Sequence, residues 1–353
     1  AKRRYRSFVR ILHEDLYLEE SSKVRAREGF NILQCFWQKL QRRFENDDHA
    51  LDTSITFATA KYSYLVSSRR IYDGGTCGLF DGTATRKKGG GGEALSVILR
   101  VPHSPDDNDL MKREADALLI IRKKADEAFR EPLDKENKER FLGRIPTLLE
   151  SLELEEPGSV GTKVVNAFVR PHGLERGWFS LEQIRTQYPR GVGTRAMVFM
   201  WNRVLEGLTL AHLSGIVHGA ITPNHVLIHP ETHSGQLFDW TASVNVVRGE
   251  HVPYADREKY GSFIAPELLD GSSTPSAASD IYMSAWCMVY VLGGDPRERA
   301  LPSTIEAPIE RFLNRCLQPK QKSRPRTAEV VYRELRQIAA DLFGPPRFVE
   351  FVM

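Results

Sequence analysis

The stretch from His218 to Glu267 constrains this chain more than any other. It opens with His218-Gly219-Ala220-Ile221-Thr222-Pro223-Asn224-His225 and runs straight into the apolar Val226-Leu227-Ile228. It continues through Leu237-Phe238-Asp239-Trp240-Thr241 and closes on Ala265-Pro266-Glu267. Immediately upstream, the spacing predicts a helix over 191–213. Met197, Val198, Trp201, Val204, Leu205, Leu208 and Leu210 make it apolar enough to be mostly buried. Downstream lie Ser279-Asp280-Ile281-Tyr282-Met283-Ser284-Ala285 and, late in the chain, Arg324-Pro325.

Composition permits a large folded body around that stretch. A chain of 353 residues implies about two domains. With 41% hydrophobic and 27% charged residues it can bury a sizeable core. A net charge of +3 is close to balance and argues against wholesale nucleic-acid binding. The four cysteines, Cys35, Cys77, Cys287 and Cys316, form no C-x-x-C pair, so they read as reduced thiols of a cytoplasmic protein. No apolar run approaches the ~20 residues of a membrane span, and no signal peptide is visible.

Before the central stretch, short runs rich in β-branched and aromatic residues predict strands near 55–57, 62–66, 79–80, 95–101, 145–152 and 164–169. A glycine-rich run, Gly74-Gly75-Thr76-Cys77-Gly78-Leu79-Phe80-Asp81-Gly82, lies between two of them. Val97-Ile98-Leu99-Arg100 follows, and then Asp107-Asn108-Asp109-Leu110 precedes a helix carrying Glu114, Leu118 and Ile121. In this order the pieces resemble a protein kinase over about 54–343. The resemblance implies an α+β, two-lobed fold: a small β-rich lobe at 54–169, a large helical lobe at 170–343 with Arg170-Pro171-His172-Gly173 as hinge, and a tail at 344–353.

Carried over residue by residue, the resemblance assigns roles. Gly75 and Gly78 sit where a glycine loop approaches phosphates; an ordinary hairpin turn is the plainer reading. Arg100 stands at the position of the strand Lys, and Glu114 at that of its helix partner. Asp239 is the remaining candidate Mg²⁺ ligand. His218, Asp280 and the pair Glu267 and Arg324 are structural candidates. The departures are as telling. Ala220 occupies the position of the base and cannot accept a proton. Thr222 replaces a Lys. His225 replaces the metal-binding Asn, although Mg²⁺ prefers oxygen. Arg100 is larger and planar where a Lys is expected, and would crowd the phosphate site.

At the other end, Tyr5, Phe8, Val9 and Leu12 predict a basic amphipathic helix, and Phe30, Leu33, Trp37, Leu40 and Phe44 a second one. This N-terminal helical hairpin, 1–45, resembles the second and third helices of a J-domain. Its loop reads His13-Glu14-Asp15 in place of His-Pro-Asp. The resemblance implies contact with a DnaK-type heat-shock ATPase through Arg3, Arg4, Arg6, His13 and Asp15. Through Val101 to Leu110, His218-Gly219-Ala220, Asp239-Trp240 and Leu292-Gly293-Gly294-Asp295-Pro296, the chain also resembles bacterial or phage proteins that join a J-domain to a kinase-like domain.

Taken together these readings describe a catalytically impaired kinase-like protein, a pseudokinase, acting as a protein-interaction or chaperone-linked adaptor. A protein is the expected partner, with no nucleic acid and no membrane. No cofactor is fixed by the sequence; ATP and Mg²⁺ are the candidates the resemblance implies. Two alternatives stand beside this reading: an atypical ATP-dependent transferase using Asp239, and a co-chaperone acting through the hairpin.

Overall fold

The computed structural model describes residues 54–87, 93–130, 135–155, 161–170, 176–250, 260–271, 274–345 and 351–353. All but Ser54 belong to the second of the chain's two units, Ile55–Met353. The hairpin at 1–45, the run Gly89–Gly92 and the hinge residues Pro171–Gly173 lie outside the described residues.

The amino-terminal part of this unit is a single curled sheet of six strands. These are β1 (Ser54–Ala58), β2 (Tyr62–Asp73), β3 (Cys77–Arg86), β4 (Leu95–Pro102), β5 (Thr147–Glu155) and β6 (Thr162–Val169), in the order β1-β2-β3-β4-β6-β5. Side chains alternate across a strand, so Tyr64, Val66, Val97, Leu99, Val165 and Ala167 share one face and form the small core. Tyr64 and Thr59 both donate to Glu150 of β5, drawing the two ends of the sheet together. Because Ser54–Ala58 is itself a paired strand, the glycine run connects the second and third strands and Arg100 lies on the fourth.

One long helix, α1 (Asn108–Ala128), crosses this sheet. Met111, Ala115, Leu118, Ile121 and Ala125 recur at three and four residues and are all buried. A short helix, α2 (Lys135–Leu142), follows it.

The larger part is helical: α3 (Leu181–Gln187), α4 (Thr194–Leu213), α5 (Pro266–Asp270), α6 (Ala277–Val291), α7 (Ala307–Cys316) and α8 (Ala328–Phe343). Short strand pieces, β7 (Phe179–Ser180), β8 (Ile216–Val217), β9 (Val226–His229), β10 (Ser234–Leu237) and β11 (Val244–Asn245), carry the loops of the central stretch. Apolar residues nearly all round α4 and α6 put both in the core, where the Trp201 indole donates to Ser284 Oγ at 3.2 Å. The close approach of α4 and α6 requires Gly191: its φ is +89°, and a Cβ there would fall 2.1 Å from the carbonyl oxygen of Leu292. Among the described residues no helix is long and apolar enough to cross a membrane.

Two polar braces hold the large part. Asp280, fully buried near the start of α6, accepts from the amides of His218 at 2.8 Å and Gly219 at 3.0 Å. Arg324 meets both oxygens of Glu267, at 2.7 and 2.9 Å. Its remaining donors go to the carbonyls of Gln318, Ala278 and Pro319.

Candidate functional site

The loop 218–225 is held from below by Asp280, through the amides of His218 and Gly219. Burial lowers the His218 pKa from 6.5 to about 4, so the ring is neutral. Its Nε2 lies 3.1 Å from the carbonyl of Phe238, and its Nδ1 accepts from the Ala220 amide at 3.4 Å. The tautomer that satisfies both carries its proton on Nε2. His218 thus ties the two loops together instead of facing the cleft. Ala220 offers a methyl group. The Thr222 hydroxyl is buried without a hydrogen-bond partner among the described residues. His225 is committed as well: its Nδ1 lies 2.6 Å from the carbonyl of Ala220.

Arg100 is the centre of the site. Strand alternation points it to the face opposite the small core, toward α1 and the loop at Asp239. It is almost completely buried, at 1% exposure. Its guanidinium meets Glu114 at 2.8 Å, Asp239 at 2.5 Å and the Cys77 sulfur at 2.9 Å. Burial opposes its charge, but Asp239 and Glu114 outweigh that and hold its pKa well above the ordinary value. Glu114 also accepts from the Asn166 amide at 3.0 Å and from the backbone amide of Trp240 at 3.1 Å. Every partner of that carboxylate is a donor, so the geometry suits its charged form although burial pushes its pKa up.

Asp239 has a left-handed φ of 62°, which an Asp tolerates better than most residues. Its Oδ1 accepts from the hydroxyl of Thr241 at 2.5 Å and from the Thr241 amide at 3.3 Å. Its Oδ2 takes Arg100 at 2.5 Å and lies 3.4 Å from His225 Nε2. Burial would raise its pKa, but Arg100, His225 and the Thr241 hydrogen bond hold it well below the usual carboxylate range. Both oxygens are taken up by donors. Mg²⁺ coordination needs oxygen lone pairs, and here the cationic group beside the carboxylate is a guanidinium. The residues as arranged do not fit a metal at Asp239. Among the described residues no cluster of three or more His, Cys, Asp or Glu side chains could hold a metal ion.

A second ion pair spans the same sheet face. Strand register places Asp81 opposite Ile98, and Ile98 opposite Phe168. Arg170, two residues beyond Phe168, pairs with Asp81. Phe168 in turn stacks edge-on against Phe238, the neighbour of Asp239, with ring centres 5.8 Å apart. Thus one face of the sheet bears both Asp81–Arg170 and Arg100–Asp239. Gly74 makes a hairpin turn, its amide donating to Cys77 O at 2.9 Å, while Gly78 pairs with Val101 inside β3. Gly75 has open space around its Cα.

The helix α1 is fastened at a neighbouring residue too. Arg113 donates to the carbonyl of Ser243 at 3.2 Å and to Glu250 at 3.1 Å. The sequence motifs drew attention to Arg100, Glu114 and Asp239, which the structure brings together. They did not indicate Cys77, Asn166, Arg113–Glu250 or Asp81–Arg170. Arg3, Arg4, Arg6, His13 and Asp15 lie outside the described residues.

No family model matches the chain. It is 30% identical over 139 residues to a Bos taurus protein named serine/threonine-protein kinase VRK3, a match that takes in 36% of this chain and 30% of that relative. The fold is similar to a solved structure of vaccinia related kinase 3, with a TM-score of 0.58 at 15% identity, covering 84% of this chain and 93% of that one. The architecture is therefore protein-kinase-like.

Proposed function

We propose that this protein is a pseudokinase: a kinase-like scaffold that binds a protein partner and does not transfer phosphate. One observation carries the reading. Arg100 is bonded to both Glu114 and Asp239, so the two carboxylates that a kinase cleft uses for its Lys and its metal are joined by a single protein cation. Phosphoryl transfer needs positioned metal, phosphate anchoring and a proton acceptor. Here the anchor is consumed internally, the candidate metal ligand is paired with a guanidinium, and Ala220 replaces the acceptor. ATP and Mg²⁺ would have to break the Arg100–Asp239 contact to enter, so nucleotide affinity is weak and nearly metal-independent.

The partner of such a scaffold is a protein, bound in a cytoplasmic setting. A chaperone-linked role, through contact with a heat-shock ATPase, rests on the sequence of 1–45 alone. The test combines ATP titration calorimetry, with and without Mg²⁺, and labelled-ATP turnover read by mass spectrometry for phosphoryl and nucleotidyl adducts. Wild type is expected to show neither turnover nor metal-enhanced binding. Modification that disappears in Asp239→Ala would overturn the reading and establish an atypical transferase in its place.

A further inference from the structure

The residues Phe351–Met353 pack on the large lobe. The Phe351 ring is 7% exposed, stacked on Tyr188 at 5.4 Å and edge-on to Phe199 at 6.1 Å. The Tyr188 hydroxyl donates to the carbonyl of Val352 at 2.6 Å. Phe199 is itself backed by His233, the two rings parallel at 4.1 Å. The end of α8 meets α4 on the same side. There Gly344, at φ +76°, stops the helix, and Arg195 donates to Phe343 O at 3.5 Å while its guanidinium covers the Phe343 ring at 4.9 Å. Arg195 and Phe199 are four residues apart on α4 and so lie on one helix face.

We propose that Tyr188 and Phe199 form a docking groove for a short extended peptide bearing an aromatic side chain. Its resident occupant is this chain's own Phe351–Met353, and this strap holds α3 in place. Tyr188 is the residue that ends α3. With seven residues α3 is far below the roughly 12–15 that a helix needs to stand alone, so it depends on what packs against it. A capping box, Ser180 with Gln183, secures its first turn. At its other end the tail supplies aromatic contact and a hydrogen bond. The same helix borders the central loop: Ser180 Oγ lies 3.5 Å from Asn224 Oδ1, and Tyr260 donates to Glu182 at 3.4 Å. Docking of the tail therefore fixes one wall beside residues 218–225. This inference stands independently of the pseudokinase reading.

A tether this short keeps the tail at an effective concentration of about millimolar, so a free peptide competes poorly with it. Hydrogen–deuterium exchange of residues 181–187 tests the proposal in wild type, Phe351→Ala and Tyr188→Phe, with acetyl-Phe-Val-Met-amide as the probe peptide. Phe351→Ala is expected to exchange about tenfold faster in α3, the order set by losing an aromatic pair, with α6 unchanged. Millimolar peptide should restore protection in Phe351→Ala and leave wild type unaffected. Tyr188→Phe should show a smaller increase, because the ring stack survives. Unchanged α3 exchange in Phe351→Ala would overturn the proposal, as would a peptide effect of equal size on wild type. Protection that grows with protein concentration would overturn the assignment of the occupant, by placing the tail in a second copy. Should Phe351→Ala fail to fold, Tyr188→Phe decides: α3 exchange equal to wild type rejects the strap.

Discussion

Arg324 and Arg100 are both buried and both face carboxylates, but their surroundings differ. Arg324 matches one carboxylate edge to edge, and its other donors meet backbone carbonyls. Tyr282 covers its face at 4.4 Å. Charge balances one to one and the fork geometry is satisfied. Arg100 is shared between two carboxylates on different elements, with a thiol as its third partner. That second arrangement holds one negative charge more than it neutralises. A balanced pair fixes two segments of one lobe. An unbalanced triad joins the sheet, α1 and the Asp239 loop, and depends on a single cation for all three.

The largest expected effect follows from that dependence. Arg100→Met leaves Glu114 and Asp239 facing each other without a cation, one of them fully buried. Stranding a buried charge typically costs ~3–5 kcal/mol, and the partly exposed Asp239 loses the same cation. Chemical denaturation should show the greatest loss among single substitutions in the cleft. Losing the Arg100 cation should push the buried Glu114 pKa further up, readable as a pH-dependent midpoint.

Glu267→Ala is the matching change at the other arginine. It is expected to cost about 3 kcal/mol, the lower end of that range, because carbonyls still solvate Arg324. Burial opposes the Glu267 charge, but hydrogen bonds from Arg324 and Ser279 outweigh it and hold its pKa below the ordinary 4.5. A carboxylate depressed on folding stabilises the protein above its unfolded pKa. That contribution fades as pH falls from about 4.5. The variant should therefore lose less stability than wild type below pH 4.5. If Glu267→Ala proves costlier than Arg100→Met, the shared cation is not the more critical of the two arginines.

How far these two regions could be read from sequence also differs. Glu267 and Arg324 lie in recognisable motifs, Ala-Pro-Glu and Arg-Pro, so the pair could be anticipated without coordinates. Arg100 and Glu114 were legible for the same reason, and the strand and helix periods placed most of the elements around them. What periodicity does not carry is register. Asp81 meets Arg170 because β3, β4 and β6 align as they do, and no spacing along the chain encodes that. Cys77 and Asn166 were hidden similarly: each is an unremarkable strand residue until the sheet curls toward α1. The strand at Ser54–Ala58 was visible as a β-rich run, but without a motif nothing along the chain told that it would sit at the edge of the sheet beside β2.

A smaller effect is expected at His218, which separates the loop's scaffold from its chemistry. Its pKa is about 4 in the folded protein against 6.5 ordinarily, so the unfolded chain binds a proton that the native state refuses. Stability should fall as pH drops from 6.5 toward 4, by about 1.4 kcal/mol per pH unit from this residue. His218→Gln keeps a donor for the Phe238 carbonyl and cannot titrate. Denaturation midpoints measured across that window should be flatter in the variant. An identical slope would mean that another group governs the acid limb.

The smallest expected effect is the one that a simple repair would seek. Ala220→Asp restores a carboxylate at the position of the kinase base, yet it should gain no turnover with ATP and Mg²⁺. By the resemblance to kinases, Arg100, Thr222 and His225 depart at the same time, at the positions that resemblance gives to phosphate anchoring, charge stabilisation and metal binding. Groups that act as a unit are strongly non-additive, so one restored member recovers little. The geometry adds a second reason. A new carboxylate at residue 220 would stand near His225 and close to the loop of Asp239, adding negative charge where Arg100 is already shared between two carboxylates. Labelled-ATP assays on Ala220→Asp, alone and combined with Arg100→Lys, distinguish the two causes. Activity in the single variant would show that the missing base was the whole defect. Activity only in the double variant would identify the guanidinium bridge as the element that holds this cleft silent.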